Sequence, residues 1–152
     1  MFKKITFTTG LVAAALLFAS TAFAEGYNHY KRYYEVTLTN ITKGQTFTPQ
    51  LIASHNRKVS LFELGEPASD ELAILAEAGN TDPLTLSLLE AGHKVSDVQT
   101  IAGLLGPGES ASITIEATRA TNRLSIAAML IPTNDTFVAL DSKALPRKGS
   151  KT

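Results

Sequence analysis

His55 and Glu63 stand eight residues apart, and a hairpin over that interval would bring an imidazole and a carboxylate together. Such a pair is the beginning of an acid–base site or of a metal site. The same two residues equally describe a buried histidine whose ring N–H is met by Glu63 or by a backbone carbonyl. A working site needs a nucleophile or a third ligand, and the sequence nominates none. Asp70 and Glu71 also lie side by side, but they follow Ser69 at a helix start and read as charges facing the positive end of the helix dipole. Gly106-Pro107-Gly108 is a hairpin signal rather than a phosphate cradle, because no Lys-Ser or Lys-Thr follows it. Asn40-Ile41-Thr42 and Asn134-Asp135-Thr136 fit the glycosylation acceptor pattern and read as turn chemistry.

The residue counts narrow the options further. There is no Cys, which excludes disulfides, zinc–thiolate sites and Cys nucleophiles. The three His, at 29, 55 and 93, leave almost nothing for a His triad or a three-His metal site, and His29 and His93 read as surface residues. Lys plus Arg equals Asp plus Glu at 14 each, so there is no basic footprint for nucleic acid. At 152 residues the chain is long enough for one domain, and 44% apolar with 18% charged residues fits neither a disordered chain nor a membrane bundle.

Lys3 and Lys4, the apolar run Leu11 to Phe18 and the small-x-small motif Ala22-Phe23-Ala24 form an export signal over residues 1–24, cleaved before Glu25. The run is shorter than the roughly 20 residues that span a bilayer. No later stretch approaches that length, so no transmembrane segment is expected in the mature chain. Losing Lys3 and Lys4 leaves 12 basic against 14 acidic residues, a net charge near −2. The signal places the protein in the periplasm or outside the cell.

Positioning falls to the elements that follow. Residues 25–33 read as a polar leader, residues 34–142 as one domain and residues 143–152 as a basic, frayed tail. Tyr34 to Thr39 alternates apolar with polar, the mark of a half-buried strand. Further strands are expected over Phe47 to Ala53, where Pro49 imposes an edge or a bulge, over Val59 to Leu64, Val95 to Ile101, Ser112 to Glu116, Leu124 to Ile131, and from Phe137. Between them the period changes. Leu72, Leu75 and Ala76 share a helical face closed by Gly79, and Leu84, Leu88 and Ala91 share another before Gly92. The sum is a mostly β chain: an antiparallel β-sandwich with one or two short helices inserted near 69–91.

Several spaced motifs then point to one family. Phe47-Thr48-Pro49, Ala53-Ser54-His55, Leu61-Phe62-Glu63-Leu64-Gly65, Ala68-Ser69 and Leu72 through Glu77 to Gly79 occur in order. Gly106-Pro107-Gly108-Glu109 and Leu124 to Asp135 follow. Together they resemble the spondin N-terminal domain in the stand-alone form that bacteria export, over roughly Tyr34 to Leu140. The resemblance implies a β-sandwich of the kind found in calcium-dependent membrane-binding modules, and a role in adhesion or matrix. It also implies that Asp135, matching the Asp of the family's Pro-x-x-Asp loop, is a calcium ligand. The family's other ligands come from a later Asp-rich turn that this sequence does not carry, and Asp135 with Asn134 or Asp141 falls short of the six to eight oxygens calcium takes. As a lone loop carboxylate, Asp135 is otherwise an Asx-turn acceptor.

The expectation from all of this is an exported, non-enzymatic spondin-like module that binds an extracellular or cell-surface ligand, with calcium as a weak ligand at Asp135. The alternatives are a small metal-dependent hydrolase with its site near His55 and Glu63, or a purely structural periplasmic protein.

Overall fold

The computed structural model describes residues 30–149. The export signal 1–24, residues 25–29 with His29, and the tail residues 150–152 lie outside the described residues. In chain order the elements are β1 (Arg32–Thr39), β2 (Thr46–Phe47), β3 (Gln50–His55), α1 (Asp70–Ala78), α2 (Asp82–Glu90), a 3-10 turn (Gly92–Lys94), β4 (Val95–Ile101), β5 (Ser110–Ala117), β6 (Arg123–Ile131) and β7 (Phe137–Ala144). The strand pairings are antiparallel, and the helices are inserted between β3 and β4, as the sequence leads one to expect.

The larger sheet is built around β6. Its apolar run Leu124 to Ile131 suits a strand flanked on both edges, and β7 pairs along one edge while β3 and β2 pair along the other. Phe47 opposes Leu130 while Leu51 opposes Ala127, so one extra residue is taken up across Thr48-Pro49. Pro49, lacking an N–H, sits where the ladder is already interrupted. Thr48 bridges the break: its N–H donates to Met129 O at 3.0 Å, and its Oγ1 accepts from Met129 N–H at 3.1 Å. β4 lies outside β3.

β1 and β5 form a separate two-stranded ribbon facing this sheet. Strand alternation turns Tyr34, Val36, Leu38, Ile113 and Ile115 inward against Ile52, Leu124 and Ile126. The opposite face of the sheet, with Leu51, Ala53 and Ala127, packs against Leu72 and Leu75 of α1 and Leu84 and Leu88 of α2. The sandwich therefore carries a third, helical layer. Along one side the ribbon is tied to the sheet by side chains: Ser54 Oγ donates to Glu116 O at 2.5 Å, and Glu116 N–H donates to Asp97 Oδ2 at 2.9 Å. Along the other side β1 and β7 do not pair, and an apolar groove of about 300 Å³ opens between them.

Helix α1 has the ends its sequence calls for. Ser69 Oγ accepts from Leu72 N–H at 3.3 Å, and Gly79 closes the helix at φ 66°. The Glu71 carboxyl is held below its ordinary range by its own backbone N–H and by the Ser69 hydroxyl, as acids in a first turn are. Asn40 likewise confirms the turn reading of its motif: it is buried, and its Oδ1 accepts from Thr42 N–H at 3.0 Å.

Three expectations are corrected. Val59 to Leu64 is not a strand but a turn-rich segment. Side chains satisfy its backbone in place of a ladder, with Asn56 Oδ1 accepting from Lys58 N–H and Asp141 Oδ1 from Leu61 N–H. Its alternation reflects Leu61 and Val59 reaching into the helical layer from a loop. β1 begins at Arg32 rather than Tyr34, because Arg32 pairs with Ala117. β7 runs on to Ala144, because Lys143 and Ala144 pair with Leu124 and Arg123, so the ordered sheet extends past residue 142.

Candidate functional site

β3 ends at His55, where the register against β4 shifts, and the imidazole points into the helical side of the sheet with no exposed surface. Its Nδ1 lies 2.7 Å from Asn56 O. A carbonyl oxygen only accepts, so Nδ1 carries a proton. Its Nε2 lies 2.7 Å from Ser125 Oγ on β6, which is also fully buried.

Ser125 in turn donates to Asp141 Oδ1 at 2.9 Å and accepts from Ser142 N–H at 2.8 Å. A β-bulge creates this arrangement. Leu124 opposes Lys143 and Ile126 opposes Leu140, so Asp141 and Ser142 share the single position across from Ser125. Ser142 takes up φ 52° to make the bulge, which turns the Asp141 carboxylate toward β6. Leu61 N–H then donates to Asp141 Oδ1 at 2.9 Å and Ser60 Oγ to Oδ2 at 2.7 Å. One carboxylate thus pins both the bulge and the turn-rich loop.

This cluster contains a serine, a histidine and an aspartate, yet its order is not that of an activated nucleophile. In a working triad the carboxylate orients the histidine, which takes the serine's proton. Here the carboxylate bonds the serine, and a backbone carbonyl orients the ring. No substrate carbonyl reaches Ser125, because neither Ser125 nor His55 has accessible surface. Glu63 takes no part: it is exposed on the loop, and the His55 ring is bonded by Asn56 and Ser125 instead. The expected His55–Glu63 hairpin does not form, since residues 59–64 are not a strand. Of the two readings of His55, the structure supports the ring met by a backbone carbonyl.

Ser125 and Asp141 were not legible as partners of His55. Ser125 is one small polar residue in an apolar strand and Asp141 begins a polar run in β7, and strand pairing across 70 and 86 residues cannot be read from either segment alone.

Asp135 lies exposed in the loop between β6 and β7, with Asn134 exposed beside it. Asp141 stands six residues further on, about 20 Å along an extended strand, with its oxygens already bonded by Ser60, Leu61 and Ser125. Among the described residues no three His, Asp or Glu side chains gather where a cation would sit. The Asp135 and Asn134 side chains alone fall short of the six to eight oxygens that calcium takes.

The profile of the Spondin_N family, the spondin N-terminal domain, matches residues 22–151. The chain belongs to the spondin N-terminal domain family. The match takes in the seven strands and two helices of the described residues, so the sandwich, the bulge at Asp141 and the loop at Asp135 all lie within the spondin domain. Spondin N-terminal domains are a non-catalytic domain family. No curated protein matches the chain in sequence. Among the described residues, no helix of this spondin domain is long and apolar enough to cross a membrane.

Proposed function

We propose that this spondin domain is an exported, non-catalytic binding module that acts at a cell surface or in an extracellular matrix. One observation carries the reading: the His55–Ser125–Asp141 cluster is closed off in the interior, where it braces a bulge and a loop and meets no substrate. The accessible relief is of a kind that binds rather than reacts. The groove between β1 and β7 is lined by Leu38, Ile41, Phe47, Ile126, Val138 and Leu140, with no titratable side chain among them. Export rests on Lys3, Lys4, the apolar run and Ala22-Phe23-Ala24, which direct the mature chain to the periplasm or beyond. Calcium enters only through Asp135, and with so few oxygens its dissociation constant is of the order of 10⁻³ M or weaker.

The test is fractionation followed by co-sedimentation. The exported chain is expected to begin at Glu25 by mass spectrometry and to sediment with cell-envelope or matrix material above an unrelated exported control. An intact Met1, or sedimentation no greater than the control, overturns the reading.

A further inference from the structure

At the end of the sandwich where β1 begins and β5 turns into β6, the chain leaving β7 crosses back and encloses a polar cleft of about 110 Å³. Arg32, Arg119 and Arg147 line it, together with Tyr34, Thr118 and Asn122, and no Asp or Glu does. Among the described residues the ion pair is Lys31 with Glu116 at 2.9 Å, so none of the three guanidinium groups has a carboxylate partner. Arg32 is the most telling. It continues the inward-facing stripe of Tyr34, Val36 and Leu38 and is half-buried there. A partly desolvated cation without a counter-charge is unfavourable unless something anionic meets it.

The three arginines come from three segments, and each segment is fixed. Arg32 is held in the β1–β5 ladder opposite Ala117. Arg119 sits on the β5–β6 turn, whose ends are bonded to each other: Thr118 N–H donates to Thr121 Oγ1 at 3.0 Å, and Thr121 N–H to Thr118 Oγ1 at 3.2 Å. Thr121 is further anchored to Ser96 of β4, with the two hydroxyl oxygens 2.5 Å apart. Arg147 follows a segment docked twice, by Leu145 N–H on Asn122 O at 2.9 Å and by Tyr34 O–H on Pro146 O at 3.1 Å. The backbone at the base of the cleft is therefore in place before any ligand arrives, which lowers the ordering cost of binding.

We propose that this cleft binds a phosphate group. Guanidinium forks match the oxygens of a phosphate in paired hydrogen bonds. A phosphate monoester carries about −1.5 to −2 at pH 7, closer to three arginines than the single charge of a carboxylate. The Asn122 amide offers a neutral donor beside them. By the usual allowance of about 10–15 Å³ per water, the cleft holds several waters, room enough for a five-atom tetrahedral ion. The phosphate belongs either to a soluble ligand or to a lipid headgroup. The proposal rests on the binding-module reading for its setting, while its chemistry is testable with the inorganic ion alone.

The experiment titrates inorganic phosphate into the mature chain at ionic strength held constant with chloride, read by calorimetry and by amide NMR shifts. Saturable binding is expected, with shifts centred on residues 32, 118–122 and 145–147. Arg119→Ala with Arg147→Ala, both exposed and harmless to folding, should weaken binding at least about tenfold, as the loss of a charge-assisted hydrogen bond does. Lys43→Ala, at the far end of β1, should leave it unchanged. Non-saturable binding, an unaffected arginine variant, or an equal loss in Lys43→Ala overturns the site. Vesicles with phosphatidic acid in phosphatidylcholine then separate the sources. Retention lost in the arginine variant assigns a headgroup, and solution binding without retention assigns a soluble ligand; both support the cleft. Phosphate binding with no envelope co-sedimentation overturns the surface reading and leaves this one standing.

Discussion

Asp141 accepts a hydrogen bond from Ser125 at 2.9 Å and makes none to His55, whose Nε2 lies 2.7 Å from the same hydroxyl. The carboxylate therefore works as a brace. It joins β6, the bulge of β7 and the loop before α1 at a single point, and the histidine closes the other side of the serine.

From this follows a stability effect without a catalytic one. Ser125→Ala leaves a buried ring nitrogen and a carboxylate oxygen short of a partner, and should cost about 1–3 kcal/mol in urea unfolding. Hydrolysis of simple activated esters by wild type and variant should be equal and at the level of buffer. A wild-type rate abolished by the substitution would reinstate the hydrolase.

The interface between the ribbon and the sheet gives a second test. Ile52 is fully buried between them, so Ile52→Ala should cost about 2–5 kcal/mol. Lys43→Ala, on an exposed turn, should stay within about 0.5 kcal/mol. Chemical denaturation of both variants decides it; equal effects would mean the inter-sheet core is misplaced.

Gly79 makes a third. A Cβ there would lie 2.8 Å from Thr48 Cγ2 and 2.9 Å from Thr48 Cβ, on a backbone at φ 66°. Gly79→Ala combines left-handed strain with a clash against the β2–β3 bulge and should cost about 1–3 kcal/mol or more. Gly79→Asn, which tolerates the left-handed conformation, relieves the strain but keeps the clash. Full recovery in Gly79→Asn would show that strain alone governs the site.

For calcium the sign follows from linkage, since a ligand of the folded state stabilises it by RT ln(1 + [L]/Kd), about 1.4 kcal/mol at ten times Kd. With Asp135 exposed and short of co-ligands, calcium of about 1 mM should move Tm by less than about 2 °C. Asp135→Ala should remove whatever shift there is, and Asp82→Asn should not. A shift of several degrees, lost in Asp135→Ala, would establish a full metal site.

The sequence carried the local part of this structure well. The Ser69 cap, the Gly79 stop and the apolar face at 72, 75 and 76 are short-range signals, and α1 appears as they require. β4 runs from Val95 to Ile101 as its pattern suggests. Failures came where alternation had another cause, as at Val59 and Leu61, which dip into the helical layer from a loop. The chemistry was less legible than the fold. His55 was visible, but Ser125 reaches it only through the β3–β6 register, and Asp141 only through a bulge that no spacing announces. Arg32, Arg119 and Arg147 stand scattered through a chain of balanced charge, and topology alone gathers them.

The separation of β1 and β5 from the larger sheet sets the order in which the molecule comes apart. β3 and β6 are hydrogen-bonded along both edges, whereas the ribbon is held by apolar contact and by side-chain bonds, those of Ser54 and Asp97 to the backbone of Glu116, of Tyr34 to Pro146 O and of Asn40 to Leu105 O. Opening it breaks no strand pairing outside the ribbon. The ribbon is thus expected to open as a sub-global unit, at a lower free energy than the whole domain unfolds. Hydrogen exchange should therefore find the amides of β3 and β6 protected close to the global limit, with Ile52 and Leu124 the side chains that an opened ribbon would expose.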